Sequence, residues 1–247
     1  MTNVKTISGR AKLAGVMGWP VGHSLSPLLH GHWLAALGID GAYVPLAVKP
    51  ADFAEALRAV PKLGFAGVNV TIPHKQAALE IVDECDATAR RIGAVNTIVV
   101  RPDGKLWGSN TDAYGFSENM KWRYPAWNPK AGPAIVIGAG GAARAIVVAL
   151  LDAGVPSLRL VNRSRAKAEA LVETMAETMG ETLGERIEVF DWDKRSVALA
   201  GAALLVNTTS LGMSGQPALD LDLAALPAGA AVCDIVYVPL ETPLLKT

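Results

Sequence analysis

Several stretches of this chain carry side chains whose types and spacing suit chemistry, and the first is Val68-Asn69-Val70-Thr71-Ile72-Pro73-His74-Lys75. Its alternation of apolar β-branched and polar residues reads as a short strand, with Val68, Val70 and Ile72 on one face and Asn69 and Thr71 on the other. Pro73 supplies no ladder donor and fixes its own φ, so it ends the strand. His74 and Lys75 then fall at the carboxyl end, where α/β sheets hold their ligands. That makes Lys75 a candidate for chemistry, against the plainer role of a solvated lysine opening the helix Gln76–Val82.

The second stretch is Gly138-Ala139-Gly140-Gly141-Ala142-Ala143, between an expected strand and an expected helix. In that setting Gly138 allows a tight turn, Gly140 lets a pyrophosphate approach the backbone, and the small Ala143 lets the helix pack close to the sheet. An NAD enzyme presents an acidic residue to the ribose at the end of the next strand. Here Asn162, 24 residues beyond Gly138, is followed by Arg163, Ser164 and Arg165. Two guanidiniums and a hydroxyl suit a phosphate, so NADP is expected over NAD. A solvated basic loop capping the next helix is the plainer role for the same residues.

Three further groups invite a shared purpose: Ser24 with Ser26, the Lys75 region, and Asn96 with Asp112. Hydroxyls at a helix start favour an anion, because the first-turn N–H groups are unpaired and the macrodipole is positive there. Ser26 before Pro27 reads as an N-cap, and Asp112 also fits a simple turn role.

The elements that must hold these residues follow a β-α rhythm. Leu13–Gly18 and Tyr43–Val48 are expected strands, Ser26–Leu37 and Asp52–Val60 expected helices, and Gly38 and Pro61 the stops. Ala87–Ile92 is an expected helix, and Gly93 to Val100 leads from a turn into a strand that ends at Pro102-Asp103-Gly104, with Lys105–Gly108 returning as a hairpin arm. Met120–Pro133 has no periodicity and marks the expected boundary, giving domains 1–120 and 121–247. Beyond it, strands at Ala134–Ile137, Ser157–Val161, Ile187–Phe190, Leu204–Asn207 and Ala231–Ile235 alternate with helices at Ala142–Ala153 and Ala166–Met179. The class is α/β: a mostly parallel first domain and a doubly wound, Rossmann-type second domain.

With 247 residues the chain is long enough for two cores. Its 23 basic and 23 acidic residues balance to a formal charge of +0, which argues against a nucleic-acid or membrane-surface role and leaves a small-molecule ligand. Met1–Arg10 shows no leader-like apolar stretch, and no run of about 18 apolar residues follows, so the expected location is cytoplasmic. Cys85 and Cys233 have no metal-type spacing and are expected as free thiols, with no metal site.

Taken in order, Ser24-Leu25-Ser26-Pro27, Asn69 to Lys75, Gly93-Ala94-Val95-Asn96-Thr97, Asn110-Thr111-Asp112, the glycine loop, Asn162-Arg163-Ser164, and Asp234-Ile235-Val236-Tyr237 to Thr242-Pro243-Leu244-Leu245 resemble shikimate dehydrogenase from about Leu13 onward. The resemblance implies NADPH-dependent reduction of 3-dehydroshikimate to shikimate, in aromatic amino-acid biosynthesis, in a cleft between the domains. It further implies that Ser24 and Ser26 hold the substrate carboxylate and that Thr71, Asn96 and Asp112 bond its hydroxyls. On it Lys75 transfers the proton beside Asp112, and Tyr237 reaches the substrate. The cofactor is implied to lie along Gly138, Ala139, Gly140, Gly141 and Ala142, then Asn162, Arg163, Ser164, Arg165, Ala166 and Lys167. Asn207, Thr208, Met213 and Ile235 are implied near the nicotinamide end. Lysine's ordinary pKa of about 10.4 suits an acid; desolvation lowers it and a neighbouring carboxylate raises it.

The chain departs from the family at Gly31 and Val238, where Asn is common, and at Ala87, where some relatives carry an acidic residue. Relatives continue past Thr-Pro-Leu-Leu into helices that return to the first domain and supply a glutamine to the substrate, whereas Thr247 is the last residue here. The rival expectations are a quinate/shikimate dehydrogenase of broader choice and a non-catalytic NADP-binding sensor. As to assembly, a monomer or homodimer is expected.

Overall fold

The computed structural model of the chain describes residues 7–179 and 183–247. Residues 1–6 of the stretch read for a leader lie outside it. The backbone packs as two units that divide after Thr111, ahead of the 120/121 boundary expected from composition.

In the first unit, β1 (Lys12–Gly18), α1 (Ser26–Ala36), β2 (Gly41–Ala47), α2 (Phe53–Ala59), β3 (Phe65–Val70) and α3 (Lys75–Ile81) keep the β-α alternation that the sequence implies. Then come β4 (Glu84–Cys85), α4 (Ala87–Ile92), β5 (Thr97–Val100) and β6 (Leu106–Ser109). The strands form one sheet in the order β2-β1-β3-β5-β6-β4. β1 is parallel to β2 and β3, and β4 to β6, while β5 runs antiparallel to both β3 and β6. The reversal is local in origin. Gly104, at φ +84°, donates to the Arg101 carbonyl and closes the tight turn between β5 and β6. Val68 and Val70 join Met17, Phe53, Leu57 and Ile98 in the core beneath the sheet. Ile72 does not share their face: β3 stops at Val70, and Ile72 is 45% exposed. Thr71 N–H still makes the parallel-ladder bond to the Met17 carbonyl, and the pairing is lost just beyond it, where the Ile72 carbonyl, next to Pro73, accepts from Trp19 N–H out of register.

The second unit comprises α5 (Asp112–Arg123), β7 (Ala134–Ile137), α6 (Gly141–Asp152), β8 (Leu158–Val161), α7 (Arg165–Met179), β9 (Ile187–Phe190), β10 (Leu204–Asn207), β11 (Ala231–Asp234) and α8 (Pro243–Lys246). Its strands lie in the order β11-β10-β7-β8-β9, and every pairing is parallel. β7 and β10 are buried along their whole length, the pattern of a sheet covered on both faces, which is why they read as unbroken apolar runs. α5 packs on α6. The strand order reverses at β7: one path runs outward through β8 and β9, the other through β10 and β11. Both units are α/β, and the second is doubly wound.

Candidate active site

The antiparallel excursion of the first unit decides where its polar motifs meet. β1 and β3 are parallel, so the loop carrying Ser24 and Ser26 and the segment from Thr71 to Lys75 leave the same edge of the sheet. β5 runs the other way, so its amino end, with Asn96 just before it, returns to that edge: Thr97 stands in register with Asn69 on β3 and with Ser109 on β6. β6 then delivers Asn110 and Thr111 there as well. Four strands thus present their polar residues along one rim.

Ser26 does not cap α1. It is the first helical residue, Leu25 occupies the cap without a side-chain bond, and the Ser26 N–H points to Ser24 Oγ at 3.3 Å. The helix start therefore shifts by one residue from the expected N-cap, and the hydroxyl that satisfies an early N–H is that of Ser24.

Lys75 opens α3, on a turn held from three sides. The ring of His74 is 2% exposed, lies flat on Phe53 at 4.2 Å, and its Nε2 bonds the Val48 carbonyl at 2.7 Å. A stacked aromatic pair and one hydrogen bond together contribute on the order of 2 kcal/mol to holding this turn. On the other side, Val95 N–H donates to the Lys75 carbonyl at 2.8 Å, which ties the lysine backbone to the Gly93–Asn96 turn. Gly93, at φ +72°, ends α4 in the left-handed region, where a side chain would add strain. Asn96 accepts at Oδ1 from Thr111 N–H (3.1 Å) and from Thr97 Oγ1 (2.9 Å), and donates through Nδ2 to Thr111 Oγ1 (3.0 Å). Thr71 and Lys75 are half-buried on this rim. Asp112, half-buried, is the first residue of α5 and belongs to the second unit.

In the second unit the glycine loop leaves β7 at the point where the strand order reverses. Gly138 has φ +115°, and a Cβ there would strike Thr208 Oγ1, so the turn admits only glycine. Its N–H donates to the Val161 carbonyl, while Thr208 bonds the Ile137 carbonyl through both N–H and Oγ1. Those bonds draw the ends of β7, β8 and β10 together. A Cβ on Gly140 would meet nothing within 4 Å, which leaves room for a phosphate in front of the first turn of α6, and Ala143 is fully buried against the sheet.

At the end of β8, Asn162 Nδ2 bonds the Ser164 carbonyl, and Ser164 Oγ accepts from Lys167 N–H as the cap of α7. Arg165 is drawn to Glu169 Oε1 at 2.7 Å and Asp191 Oδ1 at 3.1 Å, and both carboxylates raise its pKa. Arg163, Ala166 and Lys167 are exposed. No acidic side chain stands in the Asn162–Lys167 turn itself. The room at Gly140, the helix start and these cations fit a dinucleotide bearing an extra phosphate.

A buried polar cluster shapes the loops beyond β10 and β11. Asn207 and Thr242 are both 0% exposed. Asn207 Nδ2 donates to Asp234 Oδ1 and to the Leu211 carbonyl, and its Oδ1 accepts from Thr209. Asp234 also accepts from Val236 N–H and from Thr242 Oγ1 at 2.7 Å. These bonds pin the turns carrying Thr208 and Met213 and those carrying Ile235 and the half-exposed Tyr237. Neither the His74 stack nor this cluster has a signature in local sequence, because each joins residues distant along the chain.

Burial pushes the Tyr43 phenol up to about 12. The Cys233 thiol is pushed up to about 11 by burial and by neighbouring Asp234. Both groups are neutral when protonated, and their ordinary values are 10.0 and 9.0, so in alkali the native chain holds protons that the unfolded chain has lost. Their contribution to stability is complete below about pH 9 and is lost as pH rises toward about 12. The urea midpoint is therefore expected to fall between pH 8 and pH 10.5, and less so in Cys233→Ser; a flat profile would contradict it.

A strand-order switch point with a glycine loop, and a separate sheet edge bearing a lysine among hydroxyl and amide groups, define a dinucleotide-dependent dehydrogenase. Residues 16–98 match the shikimate dehydrogenase substrate binding domain, and residues 127–192 match shikimate / quinate 5-dehydrogenase. The shikimate dehydrogenase (NADP(+)) of Paramagnetospirillum magneticum is 61% identical over 239 residues, covering 97% of this chain and 84% of that protein. Quinate dehydrogenase from Corynebacterium glutamicum in complex with NAD superposes with a TM-score of 0.84 at 33% identity, over 96% of this chain and 84% of its own. Shikimate 5-dehydrogenase from Thermus thermophilus in complex with NADP(H) and shikimate gives 0.78 at 38% identity, over 95% and 82%. The chain belongs to the shikimate dehydrogenase family.

Proposed function

We propose that the chain catalyses the NADP-dependent, reversible reduction of 3-dehydroshikimate to shikimate. The observation that carries the reading is the gathering of Ser24, Ser26, Thr71, Lys75 and Asn96 along one rim of the first sheet. Bound NADPH would supply the hydride for the ketone carbon. Lys75 gives a proton to the developing alkoxide and takes it back in the reverse direction, with Asp112 as its carboxylate partner in the reaction. Ser24 and Ser26 receive the substrate carboxylate near the start of α1, Thr71 and Asn96 bond the ring hydroxyls, and Tyr237 is a further substrate contact. Arg163 and Lys167 receive the 2′-phosphate, and the N–H groups at the start of α6 receive the pyrophosphate.

Loss of NADPH absorbance on addition of 3-dehydroshikimate tests the reading. Turnover is expected with that substrate, and reverse reactions with quinate or NAD are expected to be slower. Tight NADPH binding without turnover of any cyclohexene alcohol would instead mark a non-catalytic sensor, and equal rates on quinate a broader dehydrogenase.

A further inference from the structure

A dinucleotide held at the switch point of the second sheet lies across the carboxyl ends of β7 and its neighbours. With its phosphorylated ribose at the turn after β8, its nicotinamide half falls on the other side of β7, over the ends of β10 and β11. Two loops leave those ends. The first runs from Asn207 through Met213, and the second from Asp234 through Ile235 and Tyr237 to Thr242.

Asp234 stands in register with Asn207, and its carboxylate serves both loops at once. Oδ1 accepts from Asn207 Nδ2 at 3.0 Å and from Val236 N–H at 3.0 Å, while Oδ2 accepts from Thr242 Oγ1 at 2.7 Å. That last bond joins residues eight positions apart and closes the second loop at its neck. Thr242 is the N-cap of α8, where a hydroxyl ordinarily turns to the first N–H groups of the helix. It makes no such cap bond: the side chain is wholly buried and its hydrogen goes to Asp234. The first loop lies against the same point. Gly212, at φ +89°, passes so close that a Cβ on it would lie 3.5 Å from Thr242 Cβ, and Ser214 N–H donates to the Val238 carbonyl at 2.9 Å. Met213 thus sits between two residues that touch the second loop.

We infer that Asp234 and Thr242 are positioning residues for the nicotinamide: their bond holds the second loop closed against the first and so sets the spacing of Ile235 and Met213. The inference rests on the reading of these two loops as the nicotinamide end of the cofactor site. Without the clasp the neck of the second loop opens, only a fraction of molecules present Ile235 at the right distance from Met213, and apparent affinity for the nicotinamide half falls by that fraction. The glycine loop and the turn after β8 take no part in the clasp, so the adenosine half is held as before.

Thr242→Val keeps the shape of the side chain and removes no cap bond, and Thr242→Ser keeps the hydroxyl. Binding is measured with two probes: NADPH, and 2′-phospho-ADP-ribose, which carries the adenosine and phosphates but no nicotinamide. Thr242→Val is expected to raise Kd for NADPH on the order of fivefold, about the worth of one net hydrogen bond, and to leave Kd for 2′-phospho-ADP-ribose unchanged. Thr242→Ser should bind both probes as wild type does. Asp234→Ala cuts the clasp from its other end and should show the same selectivity, and Thr242→Val should add nothing in that background, since both remove one bond. Asp234→Ala also decides the question if Thr242→Val does not fold. A lower Tm with both dissociation constants unchanged overturns the inference, and so do equal losses with the two probes, which would mark a general loosening of the unit. Ile235→Ala separates the inference from the reading beneath it. If that variant weakens NADPH selectively and the clasp variants do not, the inference alone falls. If it weakens neither probe, or both equally, the placement of the nicotinamide at these loops falls and takes the inference with it.

Discussion

Lys75→Ala is expected to lower kcat by about 10²–10⁴-fold, the contribution typical of a positioned acid or base, while KM for shikimate and the NADPH dissociation constant change far less. The asymmetry follows from where the lysine sits. Its carbonyl is held by Val95 N–H, and the preceding residue is locked by the His74–Phe53 stack and the bond to the Val48 carbonyl. None of these involves the ammonium group, and alanine is well suited to the first turn of α3. Truncation therefore removes the proton carrier and leaves the rim standing. Lys75→Arg separates proton transfer from simple charge: the guanidinium keeps the positive charge but does not release a proton at working pH, so kcat should remain low. Steady-state rates in both directions, with NADPH binding followed by fluorescence, check the result. Losses that appear equally in cofactor binding would show that Lys75 does not carry the proton.

The second large effect is expected in cofactor choice. Arg163→Ala should raise KM for NADPH by about 10–100-fold, as expected for loss of charge-assisted hydrogen bonds to a phosphate, and leave KM for NADH nearly unchanged. Arg165 lies two residues on but is not equivalent. It is held by Glu169 and Asp191, all three side chains are about half exposed, and such surface pairs contribute roughly 0–1 kcal/mol to stability. A guanidinium already answered by two carboxylates has less to offer a phosphate, so Arg165→Ala should cost NADPH less than Arg163→Ala does. An unchanged KM for NADPH in Arg163→Ala would mean that the turn after β8 does not read the 2′-phosphate.

Much of this was legible in the chain itself, because its signals are local. Apolar runs bounded by Gly and Pro located the strands of the second unit: Ala134–Ile137, Ile187–Phe190 and Leu204–Asn207 are its β7, β9 and β10. The strand, glycine loop and helix around Gly138 needed only their own order to be read, since the tight turn is a property of that backbone. Helix α4, from Ala87 to Ile92 with Gly93 behind it, was likewise written in its capping residues: Asp86 accepts from Ala89 N–H at one end and Gly93 turns left-handed at the other.

Tertiary structure decided the rest. The Val68–Lys75 stretch promised a strand running to Ile72, but β3 ends at Val70, and past the ladder bond from Thr71 N–H the Ile72 carbonyl pairs out of register with Trp19 N–H. The expected cap at Ser26 moved because its N–H went to Ser24 Oγ. His74 had no role until Phe53 and Val48, far back in the chain, closed around it. Asn96 was recognisable as a motif, but its arrival beside Asn69 depends on β5 pairing antiparallel with β3. Periodicity and turn chemistry act between residues a few positions apart, so the sequence alone determined the elements and the types of group they carry. Which groups share a rim, and which hydrogen bonds they make, depends on strand pairing and on partners such as Tyr43 and Asn69, 26 residues apart, that only folding brings together.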